Sequence, residues 1–102
     1  MHLIQFLLPN YDNSGNRFPR EKFERVRVEL TETFGGVTAY LRSPAQGSWK
    51  ESDDEVVKDD LVLFEVISER IDRDWWSAYR RTLLERFRQE EIIIRATRVE
   101  GL

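Results

Sequence analysis

The stretch 56–87, VVKDDLVLFEVISERIDRDWWSAYRRTLLERF, changes its apolar period halfway along, and that change decides the fold class. From Val62 to Ile67, Val62, Phe64 and Val66 fall on one side of an extended chain and Leu63, Glu65 and Ile67 on the other. This is the two-residue alternation of a strand, with both sides largely apolar. Asp59-Asp60 at its start marks a bend or bulge. After Asp72 the period lengthens: Trp75, Tyr79, Leu83 and Phe87 recur every fourth residue, and Trp76 and Leu84 widen the stripe. That spacing draws one face of a helix. Asp72 can accept from the free N–H groups of the first turn, where Asp74 adds negative charge.

Working outward, Glu91 to Val99 alternates Ile92, Ile94 and Ala96 against Ile93, Arg95 and Thr97, which predicts a closing strand. Upstream, Val37 to Arg42 alternates Val37, Ala39 and Leu41 against Thr38, Tyr40 and Arg42. The breaker-rich and acidic segment from Ser43 to Glu55 reads as a loop, although it carries the large apolar Trp49. Before these lies a helix, with Pro19 suited to its first position, a stripe of Phe23, Val26, Leu30 and Phe34, and Gly35-Gly36 to end it. Residues 2–8 form an apolar first strand, closed by the turn-rich stretch from Pro9 to Asn16. The order strand, helix, strand, strand, helix, strand predicts an α+β fold of the ferredoxin-like β-α-β-β-α-β type. In that arrangement two helices cover one face of a four-stranded antiparallel sheet, formed here by residues 1–102 as a single domain.

Composition narrows the functional classes. The chain is 40% hydrophobic and 34% charged, a balance that favours folding over disorder. Nineteen acidic against 16 basic residues give a net charge of −3, which offers no broad attraction to phosphate backbones or anionic lipid, so neither a nucleic acid nor a membrane is an expected partner. The first apolar run lacks a basic leader and ends at Pro9, too short for a membrane span. A cytoplasmic protein is expected. The absence of cysteine excludes disulfides and thiolate chemistry. Asp53-Asp54-Glu55 and Asp59-Asp60 lack the spacing and glycine of a calcium loop, and no phosphate loop, dinucleotide fingerprint, zinc motif or serine elbow is present. No metal or cofactor is predicted.

The chemistry-bearing positions gather on the sheet face away from the helices. There Leu3, Leu7, Leu63, Ile67 and Ile93 alternate with Gln5, Tyr40, Arg42, Glu65 and Arg95. A face that is neither clean core nor clean solvent surface calls for a cover, either a partner subunit or a small ligand. Two arginines beside one glutamate leave a spare positive group for a carboxylate or phosphate, with Tyr40 and Gln5 directing hydrogen bonds. Cross-strand ion pairing on a half-exposed sheet is the structural alternative. Trp49 and Lys50, after Gly47, form a lid over this face or an anchor for the loop. The candidate ligand-binding set is thus Gln5, Tyr40, Arg42, Trp49, Lys50, Glu65 and Arg95, with no catalytic residue assigned. His2, the only histidine, reads as an exposed or edge residue whose acid or base role needs a partner such as Glu65. Of Trp75 and Trp76, one belongs in the core and the other at a helix-side interface. Arg80, Arg81, Arg86 and Arg88 form a basic helix side suited to solvent or subunit salt bridges.

The segments FPREKFERVRVELTETFGGVTAYLRSPAQGSWK and WWSAYRRTLLERFRQEEIIIRAT resemble an uncharacterised group of small bacterial proteins with a ferredoxin-like arrangement. More loosely, the pattern resembles dimeric α+β barrel proteins, in which two such subunits join their sheets and sometimes enclose a small organic molecule. The resemblance implies the fold and a homodimer. It implies no reaction. The first functional reading is therefore a noncatalytic or regulatory homo-oligomer that binds a small anionic metabolite. The alternative is a small barrel-type enzyme acting on an aromatic or carboxylate-containing substrate, with Glu65 as proton acceptor and Arg42 or Arg95 stabilising negative charge.

Overall fold

The computed structural model describes residues 1–36, the backbone of residues 38–42, and residues 61–102. Its elements are β1 (His2–Pro9), α1 (Arg20–Phe34), β2 (Thr38–Arg42), β3 (Leu61–Ser68), α2 (Arg73–Arg86) and β4 (Ile94–Arg98). The strands lie in the order β2-β3-β1-β4, each antiparallel to its neighbours.

Local chemistry sets the element ends. Asp72 accepts from the Trp75 N–H at 3.0 Å and so caps α2. Gly35, at φ 80°, donates its N–H to the Thr31 carbonyl and ends α1 in the left-handed conformation, which a side chain disfavours. Pro19 stands one position earlier than expected, as the cap of α1, and its carbonyl accepts from the Lys22 N–H. In the turn after β1 the Asp12 carboxylate accepts from the N–H groups of Ser14 and Asn16, and Gly15 supplies a positive φ of 85°.

The helix-facing side of the sheet forms the core. Ile4, Phe6 and Leu8 alternate along β1, all buried, and meet Phe64 and Val66 of β3, with the Phe6 and Phe64 rings stacked at 5.4 Å. Val26 and Leu30 of α1 and Trp76, Tyr79 and Leu83 of α2 complete it, and Phe18 and Phe87 close its far end edge to face. The two helices are tied across that core. Arg86 makes a forked pair of hydrogen bonds to Glu29 at 2.7 and 2.9 Å, the Tyr79 hydroxyl donates to the same carboxylate at 2.9 Å, and Lys22 donates to the Arg86 carbonyl.

The order of elements agrees with the sequence reading, but the architecture corrects it. The complete ferredoxin-like sandwich on a four-stranded sheet is not what forms, and the sheet does not curl toward half of a barrel. Two helices lie over an open antiparallel sheet. Three strands, β3-β1-β4, carry the described side chains, and β2 joins at the edge through backbone pairing with β3. The reason lies at β4. The expected strand from Glu91 shortens to five residues because Ile92 turns into the core ahead of it, and Arg95 to Arg98 are exposed. The side of α2 toward β4 presents Arg73, Ser77 and Arg80, which cannot close an apolar seam over the strand. Among the described residues no helix is long and apolar enough to cross a membrane.

Candidate functional site

On the open face a polar row crosses the sheet. Gln5, in the middle of β1, stands opposite Glu65 on β3 and opposite Arg95 on β4, and Glu65 in turn stands opposite Thr38 on β2. The Gln5 side-chain amide donates to the Glu65 carboxylate at 2.6 Å. Each interstrand step is about 4.8 Å, so the backbones at Glu65 and Arg95 lie roughly 10 Å apart and a neutral amide separates the two charges. Among the described residues, therefore, no cross-strand ion pair forms at Glu65. Its second oxygen has no partner among the described residues, and neither does the exposed Arg95 guanidinium.

Apolar rows flank this polar one. Leu3, Leu7 and Leu63 are half-buried, while Ile67 and Ile93 are 59% and 65% exposed. Toward β4 opens a depression of about 220 Å³ lined by residues including Gln5, Leu7, Leu63, Glu91, Ile93 and Arg95, with Glu65 beyond its rim on the far side of Gln5. The arrangement can hold a flat apolar group against leucine and isoleucine while a carboxylate and a guanidinium, on opposite sides of Gln5, take opposite charges.

Of the residues read from the sequence, Gln5, Glu65 and Arg95 come together. Register puts Tyr40 opposite Leu63, and Arg42 opposite Leu61, four residues or roughly 13 Å along β3 from Glu65. The Glu65 row therefore contains one arginine, Arg95. Trp49 and Lys50 lie outside the described residues, as do the acidic positions 53–55, 59 and 60. Glu91 lines the depression and was not among the candidates; its only sequence signal is its place just before the last apolar run. His2 shares the helix-facing parity of Ile4 on β1 and is half-buried, so the sheet separates it from Glu65 and the two cannot form an acid–base couple. Trp76 is the core tryptophan, and Trp75 stacks half-buried on Tyr79 and meets Phe34 edge to face. Arg86 is committed to Glu29 within the chain, not to solvent or a second subunit.

No family model matches the chain, and no curated protein does. Among solved structures, a phage SAM lyase in complex with S-methyl-5'-thioadenosine matches at a TM-score of 0.57 and 13% identity, over 94% of this chain and 79% of that one. At that identity the likeness is one of fold. The noncatalytic regulatory homo-oligomer expected from the sequence is not carried forward, since the fold found here is shared with an enzyme.

Proposed function

We propose that this chain is a small enzyme acting on a compound that combines a flat aromatic group, a positive centre and a carboxylate, with S-adenosylmethionine as the substrate to test first. The observation that carries the reading is the Gln5-held Glu65 carboxylate, standing between apolar rows with Arg95 on the other side of Gln5. A sulfonium is a soft cation that favours a carboxylate in partly apolar surroundings. The amino-acid arm of S-adenosylmethionine ends in a carboxylate that matches a free guanidinium, and its adenine matches exposed aliphatic side chains. The fold likeness to a SAM lyase supports the choice. The Cγ–S bond of the amino-acid arm breaks with its electron pair going to sulfur, which leaves S-methyl-5'-thioadenosine, a neutral thioether, while the arm's own carboxylate oxygen bonds to Cγ and closes a lactone. In this reading Glu65 positions the positive sulfur, Gln5 fixes the Glu65 rotamer, and Arg95 holds the departing arm.

A second copy of the chain covering Ile67 and Ile93 belongs to the same proposal, because an open depression of about 220 Å³ sheds less water than a covered one. The test incubates the purified protein with S-adenosylmethionine and follows S-methyl-5'-thioadenosine by chromatography and mass spectrometry. Product formation that falls about 100-fold in Glu65→Gln, with the fold retained, supports the reading. Absence of product at all protein concentrations, or full activity in Glu65→Gln, overturns it.

A further inference from the structure

On the other side of the sheet, the start of β1, β4 and the first half of α2 border a larger, open cleft of about 550 Å³. Its α2 wall is Arg73, Trp76, Ser77 and Arg80, spaced i, i+3, i+4 and i+7, so one continuous helix stripe faces it. In a closed two-layer packing that stripe is apolar; here three of its four residues are polar or charged. Ile4 and Ile94 supply an apolar floor.

Two ring nitrogens mark this cavity. Trp76 is 6% exposed, and its indole N–H has no acceptor; Nδ1 of His2, which also lines the cavity, has no partner either. Buried polar atoms are almost always satisfied, so two unpaired ones within the wall of one cleft set that wall apart from the packed core. The charge has one sign. Arg73, Arg80 and Arg95 line the cleft and, among the described residues, no carboxylate does; Asp72, beside it in sequence, already caps α2. Arg80 spends its Nε–H on the Ile92 carbonyl at 2.9 Å, which fixes the side chain and leaves its terminal N–H groups to donate.

We infer that this cleft between α2 and β4 is a binding site for a small amphipathic organic anion, with its acid group on Arg73 and Arg80 and its hydrocarbon part on Ile4, Ile94 and the Trp76 ring. The volume suits a ligand of one or two rings. The site is separate from the proposed sulfonium site, since the sheet lies between them, although Arg95 on the edge strand borders both.

The test follows the tryptophan indole N–H signals of 15N-labelled protein, with Trp76 assigned from Trp76→Phe, during titration with benzoate, phenyl phosphate and neutral benzyl alcohol. A saturable Trp76 shift with benzoate or phenyl phosphate, at least about 10-fold weaker for benzyl alcohol and in Arg73→Ala, and unchanged in Glu65→Gln, is the expected result. The tighter of the two acids identifies the head group. No saturable shift with either acid, an equal response to benzyl alcohol, or an unaltered response in Arg73→Ala overturns the inference. Arg73 is exposed, so its removal leaves the fold in place, and the Glu65→Gln arm keeps failure here distinct from failure of the proposed enzyme activity.

Discussion

The two halves of α2 follow the same helical geometry and do opposite things. The second half, from Arg81 to the cap residue Phe87, is locked: Leu83 and Phe87 are fully buried, Phe87 meets the rings of Phe18 and Phe23, and Arg86 grips Glu29 of α1. The first half, from Arg73 to Arg80, holds the sheet through Trp76 and leaves a cleft beside it. A packed seam and a binding cavity are built on one helix by changing which residues occupy the stripe toward the sheet. Both halves anchor the helix, the first through Trp75 and Trp76 against Phe34 and Phe6 and the second through Phe87 and Arg86, and the first half also leaves a polar cleft beside its anchor.

The largest effect that separates the halves is a cavity in the locked one. Phe87→Ala is expected to cost about 4 kcal/mol, read as a lower urea midpoint with an unchanged slope. A cost near 1 kcal/mol would mean that the aromatic cluster at that end is not integral to the core. Next, Arg86→Ala is expected to cost about 2 kcal/mol, because it strips charged hydrogen bonds from a pair only 10% and 30% exposed. By contrast Arg27→Ala, at the pair with Glu24 that is half-exposed on both sides, leaves stability unchanged. Equal effects of the two arginines would erase the distinction between clamp and surface pair.

The clamp also has a pH signature. Hydrogen bonds from Arg86 and from Tyr79 hold the Glu29 carboxyl below its ordinary value of 4.5, against the opposing effect of burial. A carboxyl lowered in the folded state stabilises above its unfolded value, so this contribution is complete above about pH 4.5 and is lost as pH falls through the lowered value. Acid unfolding should therefore begin at higher pH in Arg86→Ala, and Glu29→Gln should flatten the dependence of stability on pH in the acid range. The same carboxylate, with burial as the larger cause, pushes the Tyr79 hydroxyl well above the ordinary tyrosine range, so it stays protonated and donating.

Smaller effects belong to the open half. Asp72→Ala removes the cap of α2 and is expected to cost about 1 kcal/mol. Arg73→Ala should change stability by no more than about 0.5 kcal/mol in either direction, since the side chain is exposed and has no partner among the described residues. A large loss there would make the cleft wall structural and sharpen the boundary between the halves toward the helix start.

Alternation along residues 2–8 and 62–67, and the four-residue recurrence from Trp75 to Phe87, made the strands and helices readable because those periods follow from single-residue geometry. Pro19, Gly35 and Asp72 marked the ends within one residue for the same local reason. The alternation predicts a longer last strand than forms, since Ile92 and Ile93 continue it but a buried Ile92 serves the core before pairing begins. The local pattern assigns the basic side of α2 to solvent or to subunit salt bridges, and nothing local distinguishes Arg86, which reaches 57 residues back to Glu29, from Arg81, which bonds within its own helix.

The sequence by itself determined the kind and order of the elements, the apolar set that forms the core, and Gln5, Glu65 and Arg95 as polar residues on the opposite face. Only the tertiary structure decided that Gln5 stands between Glu65 and Arg95, that Arg42 lies opposite Leu61, that His2 and Glu65 are on opposite sides of the sheet, and that α2 stands open from β4. The physical reason is range. Period and capping are set by neighbours a few residues apart, whereas register and layer closure are set by which distant side chains fill the same space, and that depends on all of them at once.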